Sequence, residues 1–426
     1  MAFLILGLFL AFLLIVNTPI GFALGICSLL QLILKGSYSL IVAPQKIYNG
    51  IDSFPLLAIP FFLLAASLMT EGGLTPRIIA IFNAMFGWIR GSLAITNIGV
   101  SMFFAGVSGS AVADTSSVGA VLIPAMNDEG YEPPFSAAVT ASSSICGPII
   151  PPSIPLIIYG VVARVSIFGL FLGGAIPGLI LGLSLIAIAY VISRIRKYHK
   201  YHEFSFSEVF ETLKNGIWAL IMPIILVGGI IGGVFTVTEL AAVTAVYAFV
   251  VGFFVYREIR LSRLLDIFVR VSIDSAVIMI IVGLSNIFAF SLTIEHIPEA
   301  FSAFITSITS NRIVLLVLIN IIVLIAGMFI DSTPATIILV PILLPLAQSL
   351  GISPLHFGVI LVFNLMMGLL TPPVCLCLMI SAKIARCGLW PAMRESIPFF
   401  LVMVVILFLL TFFPPLAEYL PSLVFG

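Results

Sequence analysis

Charged residues are scarce in this sequence, which has 18 Lys and Arg and 18 Asp and Glu among 426 residues, or 8% charged. Soluble domains carry roughly 25% charged residues, so a water-facing surface is excluded for most of the chain. Hydrophobic residues make up 61%, and apolar runs recur along the whole length. Helices satisfy their own backbone hydrogen bonds in lipid. The composition therefore predicts an all-α polytopic membrane protein.

Other absences exclude several functions. The net charge is zero, so there is no electrostatic case for nucleic acid as a partner. Cys375 and Cys377 form a C-x-C pair without a nearby His or second Cys pair, and we interpret them as buried thiols. The histidines form no ligand set, so we expect no resident cofactor and no enzyme. A channel should carry a continuous polar stripe or a filter, whereas this chain shows only isolated polar breaks.

Uninterrupted apolar runs predict membrane spans near 3–16, 19–35, 54–70, 168–192, 217–235, 238–256, 271–292 and 396–414. Gly, Pro and Ser interrupt four further apolar stretches. We interpret 92–126 and 312–349 as re-entrant hairpins, and 135–162 and 355–382 as broken helices. The first run lacks a basic region and a cleavage site, so we expect structure there and not a signal peptide.

Basic residues predict the orientation. They concentrate in four segments, at 77–90, 193–215, 256–270 and 383–394. The positive-inside rule places all four in the cytoplasm, which is self-consistent only with two hairpins and two crossing broken helices. The limb from Ser92 to Ala105 would be about 21 Å long, too short for a core of about 30 Å. The expected location is the bacterial inner membrane.

The two halves of the sequence match without a gap at an offset of 221 residues. Seven matched pairs are Gly or Pro, including Gly106 with Gly327 and Pro151-Pro152 with Pro372-Pro373. We expect repeat 1 at 1–192, a cytoplasmic linker at 193–216 and repeat 2 at 217–426. The first repeat starts outside and the second inside. The fold class is therefore two inverted-topology repeats with re-entrant hairpins and discontinuous helices, which is typical of secondary transporters.

Four chain breaks mark the expected site, at 105–110, 147–153, 326–332 and 368–374. Freed carbonyls at a helix C-terminus suit sodium, and freed N–H groups at an N-terminus suit a carboxylate. Asp331 is the most informative residue, because an ionisable group at membrane depth is usually functional, although it can also cap a helix. Asp114 is interpreted equally as an ion ligand or as a cap.

The motifs at these breaks resemble those of a known family. They are SGSAVAD (108–114), GPIIPPSI (147–154), GGVFTVTELAAV (232–243), GMFIDSTPA (327–335) and GLLTPPV (368–374). In this order they resemble the large permease subunit of the tripartite ATP-independent periplasmic (TRAP) transporters, of the C4-dicarboxylate and sialic-acid type. The resemblance covers essentially the whole length. The chain departs from the family pattern at Cys375, where Gly is usual, and at Val237, where Pro is usual.

The resemblance implies a sodium-coupled, elevator-type carrier of a small organic anion. Its implied partners are a small four-helix membrane subunit and a periplasmic substrate-binding protein. Three sets of residues carry over by motif: sodium site 1 at Ser108, Gly147, Ile150 and Pro151; sodium site 2 at Gly327, Gly368, Thr371 and Val374; and a substrate site at Ser110, Ser153 and Asp331. The alternative is a stand-alone dicarboxylate–sodium symporter that works without a binding protein.

Overall fold

The computed structural model describes residues 9, 12, 13, 16 and 18–425, except 37, 202, 234 and 310; the side chains of 106, 107, 230 and 231 are not described. Within these residues the chain forms 19 α-helices and no strand, which confirms the all-α fold class. The first half contains α1 (Ile20–Lys35), α2 (Val42–Ile51), α3 (Ala58–Glu71, after a 3-10 turn at Phe54–Leu57), α4 (Leu74–Phe86), α5 (Ser92–Ser108), α6 (Ala111–Asp128), α7 (Pro133–Ser144), α8 (Ile154–Ala163) and α9 (Ile167–Ile195).

From its third helix, α12, the second half repeats the succession of helices that begins with α3 in the first half. It contains α10 (Phe206–Ile231), α11 (Val237–Val250, continued by a π-helical turn at Val251–Val255), α12 (Leu261–Ile294), α13 (Ile297–Ile308), α14 (Arg312–Phe329), α15 (Ser332–Ser349), α16 (Pro354–Gly368), α17 (Leu376–Ile384), α18 (Leu389–Phe412) and α19 (Pro415–Phe425). Helices α6 and α15 begin and end at positions 221 residues apart, and the Pro151–Pro152 and Pro372–Pro373 peptide bonds are both cis. The sequence repeat is therefore also a repeat of helices and breaks.

Eight described helical segments are long and apolar enough to cross a membrane, which agrees with a multi-pass membrane protein. The predicted span at 3–16 lies outside the continuously described residues. Two helices begin earlier than their apolar runs, α10 at Phe206 and α12 at Leu261. Because a helix satisfies its own backbone groups, it can continue from lipid into the basic interfacial segment that precedes it. Much of the expected linker is consequently helical, and its irregular part lies between Ile195 and Phe206.

The hairpin limbs are longer than the sequence suggested. Helix α5 continues to Ser108 and has 17 residues, and α14 has 18. At about 1.5 Å per residue these helices are about 26 Å and 27 Å long, close to the core thickness. Limb length therefore does not separate a re-entrant hairpin from two crossing helices, and re-entrance stays a prediction.

Each of four ion pairs at the helix ends joins two segments that the predicted orientation places on the same side of the membrane. Those on the predicted cytoplasmic side are Arg77–Glu258 (2.6 Å), Arg263–Glu71 (3.3 Å) and Arg196–Glu395 (2.7 Å), and Lys35–Glu295 (2.8 Å) lies on the other side. The contacts bring the basic segments near 77 and 260 together. This proximity agrees with a shared cytoplasmic location for them.

The orientation can be tested by introducing one cysteine at a time into a chain in which the partly exposed Cys387 is replaced by Ser. The four other cysteines are buried and stay in place. Cysteines at His199 and at Ser262 should react with a membrane-impermeant thiol reagent only from the cytoplasm. A cysteine at His296 should react only from the periplasm. Labelling of positions 199 and 262 from opposite sides would contradict the inverted orientation of the repeats.

Candidate functional site

Two buried helices, α7 and α16, lead to the second and fourth breaks. Every residue from Phe135 to Ser144 is buried, and so is every residue from His356 to Gly368. Each of these helices packs against both limbs of the hairpin in its own repeat. Because these helices are buried on all sides, the breaks at their ends lie inside the protein and not at its lipid-facing surface.

A buried amide joins hairpin and broken helix in the first repeat. Asn97 on α5 donates to the Thr140 hydroxyl at 2.7 Å and accepts from the Ser143 hydroxyl at 3.3 Å, both on α7. Buried, satisfied hydrogen bonds of this kind hold helices in one register. The sequence reasoning missed Asn97, although an amide inside an apolar run is a visible signal.

The second repeat has a comparable contact with a different chemistry. Asn364 on α16, which is the repeat partner of Ser143, donates to the Asn320 carbonyl at 2.8 Å and to its side-chain oxygen at 3.0 Å. Asn320 on α14 in turn donates to the Thr411 hydroxyl at 3.0 Å. In both repeats an amide therefore connects the first hairpin helix to the helix that carries the break.

The four breaks surround one cavity of about 270 Å³, which we call the central cavity. Gly109 and Ser110 line it from the first break, Pro148 from the second, Asp331 from the third and Leu369 from the fourth. Leu63 of α3 and Ile278 of α12 close it from outside the two break regions. Asp331 is the one ionisable residue among the described lining residues. The described polar lining residues are Ser110, Asp331, Ser332 and Thr333, which lie at the first and third breaks or at the helix start that follows.

Ser110 and Asp331, predicted as substrate residues, face the same cavity and are also helix caps. Ser110 accepts from the Ala113 N–H at 3.4 Å at the start of α6. Asp331 accepts from the N–H of Ser332 at 2.5 Å and from its hydroxyl at 3.1 Å, at the start of α15. The first residues of both helices line the cavity, and a helix N-terminus is a favourable place for an anion.

Ser153 does not line the central cavity. Its fully buried hydroxyl donates to the Pro148 carbonyl and accepts from the Leu156 N–H at 3.2 Å, as the N-cap of α8. The structure thus gives this side chain a local role in shaping the loop between α7 and α8. Its neighbours Ile154 and Pro155 do line the cavity.

The residues predicted for sodium site 1 lie where the first two breaks meet. Gly109 has φ +57°, and a Cβ there would lie 3.0 Å from the Pro152 carbonyl oxygen, so the two breaks touch backbone to backbone. Within the described part of the chain, the carbonyls of Gly147, Ile150 and Pro151 accept no hydrogen bond. The Ser108 hydroxyl accepts only a long contact, 3.4 Å, from the Ser110 N–H. These oxygens suit a hard cation.

Three of the four residues predicted for sodium site 2 line a small cavity of about 20 Å³. Gly327, Gly368 and Val374 line it, and a Cβ on Gly368 would overlap the carbonyl group of Gly327. Thr371, the fourth predicted residue, is not among its lining residues, and its hydroxyl donates to the Gly368 carbonyl at 3.1 Å. This volume is about that needed for one water-sized particle.

Asp114 is not a cap, because Ser110 holds that position and Asp114 lies one turn into α6. Its carboxylate is fully buried, and neither oxygen has a hydrogen-bond partner within the described residues. Ser101 and Ser144 are beside it, but their hydroxyls bond to Ser143 at 3.0 Å and to the Thr140 carbonyl at 2.8 Å. Of the two interpretations of Asp114, only the ion-site role remains open.

Cys375, the departure from the family pattern, has φ +39°, in the left-handed region that favours Gly. The residue precedes α17 and is almost fully buried. Its backbone therefore keeps the conformation that the usual Gly would adopt. The departure places a thiol side chain beside the small cavity.

Fold and site together define a class of protein. A multi-pass α-helical chain with two repeats whose helix breaks meet around one cavity is the architecture of a secondary transporter. A search of solved structures agrees at the level of the fold: the YdaH transporter of Alcanivorax borkumensis matches with a TM-score of 0.60 and 13% sequence identity, covering 87% of this chain and 89% of that one.

Comparisons with known sequences identify the family. Residues 6–416 match the profile of the tripartite ATP-independent periplasmic transporter, DctM component. The chain is 39% identical over 414 residues to the sialic acid TRAP transporter large permease protein SiaM of Vibrio cholerae, covering 97% of both chains. It is 36% identical over 400 residues to the C4-dicarboxylate TRAP transporter large permease protein DctM of Pseudomonas aeruginosa, covering 94% of both.

The chain belongs to the DctM component family of the TRAP transporters. The relatives are named as transporter permeases, which confirms the expectation of a transporter and not an enzyme. Their family and the eight apolar helical segments identify a multi-pass inner-membrane protein.

Proposed function

We propose that this chain carries a small organic anion of the sialic acid or C4-dicarboxylate class across the bacterial inner membrane, coupled to sodium. The observation that carries the proposal is the convergence of four breaks on the central cavity, with two helix N-termini and Asp331 at its wall. The helix N-termini favour a carboxylate. The names of the two relatives supply the substrate classes.

Sodium coupling is supported by charge and by free oxygens. The described wall of the central cavity contains a carboxylate and no Lys or Arg, so an anion there needs its charge balanced by a bound cation. The carbonyls at 147, 150 and 151 offer oxygens for that cation, and the small cavity at Gly327, Gly368 and Val374 has room for one. The buried Asp114 carboxylate, which lacks a cationic partner within the described residues, adds to the same preference.

An elevator motion is supported by how the helices divide. The break-bearing helices α5–α8 and α14–α17 pack together, and the central cavity lies where they meet Leu63 of α3 and Ile278 of α12. Movement of the break-bearing helices against α3 and α12 would expose the cavity to either side of the membrane, while the part of its wall that the breaks form keeps its shape. The two buried amide contacts would keep each hairpin attached to its broken helix during that movement.

The proposed partners are a small four-helix membrane subunit and a periplasmic substrate-binding protein, as the name of the tripartite family indicates. Uptake into vesicles that contain both membrane subunits tests this arrangement. Radiolabelled sialic acid and succinate are offered at a fixed sodium concentration, each with and without its binding protein. We expect one probe to enter, and only with its binding protein. Equal uptake without a binding protein would instead favour the stand-alone symporter.

A further inference from the structure

A second polar cavity lies apart from the central one, at the end of the protein that the predicted orientation places in the periplasm. It has a volume of about 560 Å³, and we call it the outer vestibule. Its polar lining includes Lys46, Asn49, Asp52, Arg164 and Asn286. None of these residues belongs to the motifs at the breaks.

The two cations of the vestibule come from different helices and have no anionic partner. Lys46 lies on α2 with its ammonium 4.4 Å from the centre of the Phe290 ring, and Arg164 caps the C-terminus of α8. Within the described part of the chain, neither makes an ion pair. Asp52 is the single carboxylate among the described lining residues, so the vestibule carries a net positive charge.

Three helices lead from the vestibule to the central cavity. On α12, Ile278 lines the central cavity, and Val282, Asn286 and Phe290 follow at four-residue intervals and line the vestibule. On α15, Thr333 lines the central cavity, and Ile337 and Pro341 line the vestibule at the same interval. Residues four apart share a helix face, so each helix presents one continuous stripe to both cavities.

The third helix, α8, connects the same two cavities. Ile154 and Pro155 at its start line the central cavity, and Val161, Val162 and Arg164 at its end line the vestibule. At about 1.5 Å per residue, the lining of the vestibule begins about 6 to 9 Å from that of the central cavity along these helices and extends to about 12 to 18 Å from it, roughly half the membrane core. The vestibule is therefore placed as the outer mouth of a route along the seam of α8, α12 and α15.

We propose that the outer vestibule is an anion-capture site, in which Lys46 and Arg164 bind the carboxylate of the transported anion and the Asn49 and Asn286 amides bind its hydroxyl or carbonyl groups. The inference rests on the proposed function, because it takes the cargo to be an organic anion. It adds binding by cationic side chains, which the described wall of the central cavity does not contain. Arg binds a carboxylate through two parallel N–H groups, and a net positive cleft concentrates anions at its mouth.

Uptake kinetics with matched variants test the capture step. Vesicles contain the chain with its small membrane subunit, and the probes are radiolabelled sialic acid and succinate with their binding proteins. We expect the Lys46→Gln/Arg164→Gln double variant to raise the apparent KM about tenfold, with Vmax within about twofold, since each exposed charge contact contributes a modest amount. Asp52→Asn should lower the KM. The control, Arg312→Gln, removes an exposed cation from a different cavity and should leave the KM unchanged.

A labelling assay decides the inference independently of transport. A cysteine replaces Asn49 in a Cys387→Ser chain, and a membrane-impermeant thiol reagent is added with either carboxylate probe and no binding protein. We expect one probe to slow labelling, and the Lys46→Gln/Arg164→Gln pair to abolish this protection. An unchanged KM, or a raised KM without any protection, overturns the capture site; the second result would mean that the cations contact the binding protein. Protection in vesicles that show no uptake would support the capture site and reject the proposed function.

Discussion

Gly368→Ala should abolish sodium-dependent uptake while the protein still inserts into the membrane. A Cβ at this position overlaps the carbonyl carbon and oxygen of Gly327, which are backbone atoms that cannot rotate away. Overpacking typically costs about 1–3 kcal/mol and occasionally more. If a cost at the upper end of this range, about 3 kcal/mol, falls on the position of the Gly327 carbonyl at sodium site 2, sodium affinity drops by roughly a hundredfold.

Gly228→Ala is the matched control for this substitution. Gly228 also lies in a helix, α10, but nothing approaches its Cβ position within 4 Å. This variant should transport like the wild type and should be no less stable, because Ala is the better helix former. Sodium titration of initial uptake rates, at equal amounts of inserted protein, makes the comparison. Wild-type sodium dependence in Gly368→Ala would reject the assignment of site 2.

Asp331→Asn should assemble normally and lose most of its transport, or change its dependence on sodium. Asparagine keeps the size of the side chain and an oxygen that can accept from the Ser332 N–H, so the cap of α15 is retained. It removes the negative charge from the wall of the central cavity. Because a carboxylate repels a bound anion, we expect Asp331 to act through a cation or a hydrogen bond and not as a counter-charge.

Asp331→Ala separates capping from transport, because it removes both the charge and the capping oxygen. Loss of the cap alone should cost about 0.5–2 kcal/mol of stability. Thermal unfolding in detergent and uptake at matched expression measure the two effects. If Asn transports like the wild type and Ala is merely less stable, Asp331 is only a helix cap.

Backbone breaks were predictable from the sequence, because Pro fixes its own φ and removes an N–H donor, whereas Gly permits backbone conformations that other residues avoid. The register of the repeat placed Ser110 and Asp331 at equivalent positions, and both are N-caps beside the same cavity. Helix ends in the polar segments were less predictable. Hydropathy reports where lipid ends, whereas α10 and α12 continue beyond that point because their backbone hydrogen bonds do not depend on lipid.

The direction of individual side chains was the least predictable feature. Ser153 belongs to the correct break, but its hydroxyl bonds to the Pro148 carbonyl and faces away from the central cavity. The contacts of Asn97 and Asn364 depend on which helices pack together, and no local pattern encodes this packing. The outer vestibule was not predictable for the same reason, because Lys46 and Arg164 are 118 positions apart in the chain.

Uptake driven by a sodium gradient tests the central claim most directly. Vesicles with both membrane subunits receive the labelled anion and its binding protein, with sodium either higher outside or equal on both sides, and with potassium maintaining ionic strength. The account predicts that the anion accumulates above its outside concentration only with the inward sodium gradient. Equal accumulation under both conditions would contradict a sodium-coupled site at the four breaks.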